Sequence, residues 1–242
     1  MRTRSYLAYG VLLAGGLAVV GALATTAMQA AEDKGGEKLV PLEIKLPKAM
    51  FEGTPKNIKP APTLEKYVDK PRKPFLAPQG TVNVSLKKAV KSSDMEPIIG
   101  EIELVTDDDK EGTDGSYVEL GPGLQWVQID LKEEFTIYAI AVWHYHGEGR
   151  VYHDVVIQAA KDADFIEGVK TIYNNDFDNS SGLGIGKDLE YIEDYRGRLI
   201  DAGKADGGKP ATSRFVRLYS KGNSSTDQNH YIEVVVYGKP AK

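Results

Sequence analysis

The chain has 242 residues and a mass of 26.5 kDa, with 41% hydrophobic and 27% charged residues, 25 Gly, 12 Pro and no Cys. That composition is too apolar for a disordered chain and too polar for a polytopic membrane protein, and the missing cysteines exclude disulfide scaffolds, Cys-ligated zinc, iron–sulfur clusters and thiol catalysis. With 30 Lys+Arg against 35 Asp+Glu, a net charge of −5, a nucleic-acid partner has no electrostatic support.

Charge and proline divide the chain into unlike pieces. Residues 31–79 carry 10 basic and 7 acidic residues, whereas residues 80–242 carry 18 and 28, and eight of the prolines fall between Pro41 and Pro78. At the N-terminus, Arg2 and Arg4 precede an uncharged run from Ser5 to Ala31, with small residues at Ala22, Ala24, Ala27 and Ala30. A basic region, an apolar stretch and small residues describe a secretory signal peptide over residues 1–30. The stretch is also close to the length that spans a bilayer, so an uncleaved N-terminal anchor is the alternative. Either reading predicts a secreted, periplasmic or cell-envelope protein, touching membrane only through that segment.

Residues 31–79 are broken by proline every few positions. Each proline fixes φ, removes a donor and pushes its predecessor toward extended geometry, so no useful helix fits. Yet Leu39, Leu42, Ile44, Leu46, Met50, Phe51, Tyr67, Phe75 and Leu76 are too apolar for a plain solvated spacer. Two readings stand: an extended linker, or a strap laid along a folded domain.

From residue 80 onward the pattern is that of strands. QWVQIDL places Val127, Ile129 and Leu131 on one face, and FTIYAIAVWHYH is apolar on both faces up to His144, as in a strand between two packed layers. DVVIQAA, SRFVRLYS and YIEVVVYG follow, separated by Gly/Asn/Asp-rich joints. Many short strands with turn signals predict an all-β sandwich or barrel over residues 80–242.

The residues from Leu86 to Gly238 resemble the coagulation-factor type C, or discoidin, family. The matching words run in order: Ala89-Val90-Lys91-Ser92-Ser93, then Thr106-Asp107-Asp108-Asp109 with Thr113. Gln125-Trp126-Val127-Gln128-Ile129-Asp130-Leu131, Arg214-Phe215-Val216-Arg217-Leu218 and Glu233-Val234-Val235-Val236-Tyr237-Gly238 follow. The resemblance implies a galactose-binding-like jelly-roll β-sandwich of two antiparallel sheets with ligand loops at one end. It also implies binding of glycans, lipid head groups or proteins rather than catalysis, as in carbohydrate-binding modules. Asp108, where the family often has Gly, and an extra residue before Thr113 depart from the pattern.

Asp107, Asp108, Asp109, Glu111 and Asp114 repel one another unless water or a cation neutralises them, and hard divalent cations take oxygen ligands. The resemblance suggests a structural Ca²⁺ held by Asp107 or Asp109, Thr113, backbone carbonyls and Glu233. The alternative is a solvated loop with Glu233 facing water. A second acidic run, residues 174–182, lacks the Gly and Glu of an EF-hand loop and reads as a polar surface loop, with a metal or sugar contact as the alternative.

His144 and His146 share one face of a strand, and Tyr152 and His153 follow the turn at residues 147–150. A pyranose offers hydroxyls to His, Arg and Asn and an apolar face to an aromatic ring. His146, Arg150, Tyr152, His153 and Asn229 are therefore the expected ligand residues, with no catalytic residue. Three imidazoles at His144, His146 and His153 converging on a metal would instead make a metal-dependent hydrolase. The sequence favours an exported, non-catalytic carbohydrate-binding module, against an envelope adaptor that recognises a partner protein.

Overall fold

The computed structural model describes residues 37–241, so the signal or anchor segment expected over residues 1–30 lies outside the described residues. Twelve strands follow in chain order. The first six are β1 (Leu39–Pro41), β2 (Leu76–Pro78), β3 (Val82–Asn83), β4 (Ala89–Ser92), β5 (Val118–Leu120) and β6 (Gln125–Trp143). Next come β7 (Val156–Ala160), β8 (Lys170–Asn174), β9 (Arg198–Asp201), β10 (Ala211–Ser220), β11 (Asn229–Tyr231) and β12 (Glu233–Pro240). One 3-10 turn, Ile102–Thr106, interrupts them; among the described residues there is no α-helix, and no helix long and apolar enough to cross a membrane.

β6 organises the β-sandwich because it serves both layers. Its first half lies between β4 and β10, with Ile129 opposite Val90 and Val216. Its second half lies between β12 and β9, with Ile140 opposite Val236 and Ile200. The switch falls at Lys132, whose φ of 77° is left-handed, beside the point where β10 slips register between Ser213 and Phe215. A bulge of this kind bends a strand and lets it change layers. All pairings among the named strands are antiparallel, as the jelly-roll resemblance implied.

Val127, Ile129 and Leu131 are fully buried, as their alternation predicts, and pack with Ile137, Ile140, Val142, Ile157, Val216, Leu218, Val234 and Val236. Each such side chain contributes about 1.5–3 kcal/mol on burial. The opposite face of β6 is covered too. Ala139, Ala141 and Trp143 join Ile232, Val235 and Tyr237 in a second cluster, against which Leu42, Ile44 and Phe75 pack.

Residues 37–79 thus lie along the sandwich as a strap. β1 and β2 pair with each other and close it into a loop. Along the way Asn57 Nδ2 donates to the Gly149 carbonyl at 3.1 Å, Thr63 Oγ1 to Glu190 Oε2 at 2.9 Å, and the Glu65 amide to the Glu190 carbonyl at 2.9 Å. The prolines that forbid a helix leave extended backbone, whose amides and carbonyls are free to pair with the domain.

Candidate ligand-binding site

β5 and β11 form a small separate sheet in which His230 stands opposite Glu119. Val118 and Leu120 point inward and are fully buried, so Glu119, and Tyr117 just before the strand, face the other way. The chain leaving β6 brings Tyr145 beside them, and the following turn brings Arg150. Together with Thr226 and Gln228 these residues line an open pocket of about 250 Å³.

The pocket is rigidly built. The Tyr117 and Tyr145 rings meet edge to face at 5.3 Å between centroids. The Arg150 guanidinium lies 4.6 Å from the Tyr145 ring centroid and is held by Glu148, with Nε donating to Oε1 at 2.9 Å. Gly147 permits this packing, because a Cβ there would lie 2.3 Å from the Tyr145 hydroxyl. His230 Nε2 lies 3.1 Å from Glu119 Oε2. Burial, and then the charge of Arg150, lowers the His230 pKa to about 4, so the imidazole is neutral at physiological pH and donates to the carboxylate. The surface therefore combines apolar ring area, guanidinium donors, a carboxylate acceptor, an amide and a hydroxyl, with the His230 N–H holding Glu119 in place. That mixture suits a small, rigid, polyhydroxylated ligand.

Of the expected ligand residues, Arg150 alone lines this pocket. His146 is fully buried and its Nε2 donates to the Lys110 carbonyl at 2.8 Å. Tyr152 is buried and stacked on His144 at 4.3 Å. Asn229 is fully buried, bridging the carbonyls of Gly121 and Gly123 to Ser220 and Gly222. These three assignments are corrected: each side chain is enclosed by the protein and none lines this pocket. His153 lies away from the pocket, hydrogen-bonded to Glu190 at 2.8 Å beside the strap. The three histidines of the hydrolase alternative do not converge either. His144 Nδ1 meets Glu193 Oε2 at 3.3 Å in the interior, while His146 and His153 face the separate partners just named. Burial drives the His144 pKa down to about 3 and, with the charge of Asp194 acting in the same sense, raises that of Glu193 well above the usual carboxylate range, so the pair is neutral.

The expected set missed Tyr117, Glu119, Tyr145, Thr226, Gln228 and His230. A signal was present in part: Tyr117 and Glu119 alternate with Val118 and Leu120, and Gln228 alternates with His230 across Asn229. What joins them is the long-range pairing of β5 with β11.

The acidic loop lies elsewhere. Glu233, at the start of β12, is fully buried, which excludes its facing water; Oε2 accepts from the Asp108 amide at 3.1 Å and Oε1 has no partner. Desolvation raises its pKa to about 9 and also raises that of Asp107. Asp109 accepts from the Glu111 amide at 2.9 Å and from Ser116 at 2.9 Å, and Thr113 Oγ1 lies 3.5 Å from Ser116 Oγ. Lys110, nearly buried, turns its ammonium onto the Asp108 carbonyl at 3.0 Å and onto the Asp108 carboxylate. Among the described residues, the acidic side chains close enough together to hold a metal are Asp154, Asp176 and Asp178, with ligand atoms within 4.8 Å. Asp176 is fully buried, so residues 174–182 are not wholly a surface loop. Its carboxylate accepts from the amides of Ser180 and Ser181 at 3.0 and 2.8 Å, and Lys221 Nζ lies 3.7 Å from Asp154.

No family model matches the chain, and no curated protein matches it. Solved structures do. A family 32 carbohydrate-binding module of NanJ from Clostridium perfringens, in complex with galactose, is 10% identical, covering 65% of this chain and 97% of its own at a TM-score of 0.46. A chitosan-binding module of a chitosanase/glucanase from Paenibacillus sp. IK-5 is 18% identical over 65% of this chain and 99% of its own, with a TM-score of 0.42. A family 89 glycoside hydrolase from Clostridium perfringens is 19% identical with a TM-score of 0.46; the match takes in 66% of this chain but only 15% of that enzyme's length.

Proposed function

We propose that this protein is an exported, non-catalytic module that binds carbohydrate in the pocket between Tyr117, Tyr145, Arg150 and His230. The observation that carries this reading is the lining itself: two tyrosine rings in edge contact beside a stacked guanidinium and a neutral imidazole, held where β5 and β11 pair. An aromatic face takes the C–H side of a sugar ring, while Arg150, Glu119 and Gln228 address its hydroxyls. Export is supported by the basic and apolar pattern of residues 1–30. Binding without turnover is supported by the separate partners of His144, His146 and His153.

Calcium in the acidic loop belongs to the same proposal. Its support is the partnerless, buried Oε1 of Glu233 beside Asp107, with Asp109 and Thr113 as further oxygens on that loop. Bound there, the ion would supply positive charge to Glu233 and tie the loop to β12. Lys110 is the protein's own competing cation.

The test is a glycan array probed with the mature protein, followed by calorimetry on the best ligand. Tyr145→Ala should weaken binding about tenfold or more, and Arg150→Ala about fivefold, the scale of one lost hydrogen bond of ~1 kcal/mol. A protein that captures no glycan but retains a partner from the cell envelope is an adaptor instead, and release of product from a bound glycan would overturn the non-catalytic reading.

A further inference from the structure

The strap does more than cover apolar surface. Between strap residues 65–72 and the segment 191–199 that leads into β9 lies a cleft of about 440 Å³. Its walls carry five cationic side chains, Lys66, Lys70, Arg72, Arg196 and Arg198, against two acidic ones, Glu65 and Asp194. Both acids are already engaged: Arg198 Nη1 donates to Glu65 at 2.6 Å, and Arg196 Nε to Asp194 at 3.0 Å. Arg72, Lys66 and Lys70 form no ion pair among the described residues.

The guanidiniums are fixed in place. Arg72 Nη2 donates to the carbonyls of Arg196 and Gly197 at 2.7 and 2.6 Å, and Arg196 returns donors to the carbonyls of Val68 and Lys70. Gly197 is required at this staple, with φ of 61° and Trp143 so close beneath it that a Cβ would lie 2.6 Å from the ring. Arg196 lies 5.4 Å from the Tyr67 ring centroid and Arg198 4.8 Å from that of Tyr191, so the cleft also has aromatic walls. Arg198 Nε is buried without an acceptor. Burial, followed by the charge of Arg196, lowers the pKa of Arg72, with Arg198 acting in the same sense. Three guanidiniums held together with two acids already paired leave a positive field of fixed geometry. An oxyanion matches the guanidinium fork.

We infer that the cleft between the strap and residues 191–199 is a second ligand site that takes an oxyanion, a carboxylate, sulfate or phosphate group, either free or carried on a sugar. It is separate from the tyrosine-lined pocket and does not depend on what that pocket binds.

Calorimetric titration of the folded protein at low ionic strength tests this, using sodium sulfate, inorganic phosphate, glucuronate and neutral galactose as probes. Saturable binding of at least one of the anions, weakened by added chloride, is expected. Sulfate or phosphate binding marks a free-anion site, and preference for glucuronate marks an acidic sugar. Arg72→Gln, which keeps an amide donor for the two carbonyls, should weaken binding about tenfold or more, the scale of a hydrogen bond to a charged group. Should Arg72→Gln fail to fold, the exposed double variant Lys66→Gln/Lys70→Gln should weaken binding severalfold. Tyr145→Ala should leave anion binding intact. Absence of saturable binding by all three anions, or unchanged affinity in the Arg72 variant (in the lysine double variant if that one does not fold), would overturn the inference.

Discussion

Asn229 uses its whole amide inside the protein. Nδ2 donates to Gly121 and Gly123 at 2.9 and 3.0 Å, while Oδ1 accepts from Ser220 and the Gly222 amide, both at 2.8 Å. Asn229→Ala should therefore cost about 3 kcal/mol by leaving buried partners unsatisfied, and a shift in denaturant midpoint would measure it. Glycan affinity of the folded variant should be unchanged; a loss of affinity without a loss of stability would return Asn229 to the ligand surface. The sequence shows an amide beside a Gly/Ser/Asn-rich joint and cannot show whether its partners are a ligand or the loop's own carbonyls. His146 was obscured for a related reason. Alternation separates two faces of a strand, but near Trp143 both faces are covered, so Trp143, His144 and His146 are all buried while Tyr145 keeps part of its ring accessible. Arg150 was legible because a guanidinium in a turn seldom finds enough partners to be enclosed.

At the scale of the element, the strands were legible from period-2 patterning, including the inward set Val127, Ile129 and Leu131. The apolar character of both faces of β6 also predicted cover on both sides. That the second cover is the proline-rich strap was not legible, because proline specifies extended backbone without saying where it lies. Leu42, Ile44 and Phe75 decide it by packing on Ala139, Ala141 and Trp143. Phe75→Ala should destabilise the protein by about 2 kcal/mol, less than a core Phe because the ring is only partly buried. Removing residues 37–79 should expose the Trp143 cluster, with increased binding of a hydrophobic dye and a red-shifted Trp emission. A truncated protein with unchanged emission and unchanged melting would show that the strap contributes nothing to the fold.

For the whole molecule, four buried groups shape stability against pH. Burial raises Glu193 and Glu233, the latter to about 9, so each holds a proton in the native state that the unfolded chain releases above about pH 4.5. Their contribution is present in acid and is lost as pH rises, for Glu233 as it approaches 9. His144 and His230 are lowered to about 3 and about 4, so the unfolded chain binds protons below about pH 6.5 that the native state refuses. Their contribution is present above that pH and is lost in acid. The two effects oppose each other between about pH 4.5 and 6.5, giving a plateau, with stability falling on either side. Glu233→Gln should flatten the alkaline decline, and a decline of unchanged slope would show that Glu233 does not hold a proton there. Calcium favours the ionised carboxylate, so its effect on melting should be larger at pH 8 than at pH 5.5 and absent from Glu233→Gln. Ligand binding stabilises by about 2.7 kcal/mol at a hundredfold excess over Kd. Melting indifferent to both calcium and chelator, in protein free of metal, would leave Lys110 as the loop's cation.

The central claim, that carbohydrate binds among Tyr117, Tyr145, Arg150 and His230, is tested most directly by following backbone amide resonances while titrating the best array ligand. Saturating shifts should concentrate in residues 117–119, 145–150 and 226–230, with one affinity for all of them, and in Tyr145→Ala should need about tenfold or more ligand to develop. Shifts confined to another surface, such as the strap cleft, or an unchanged affinity in the variant, would contradict it.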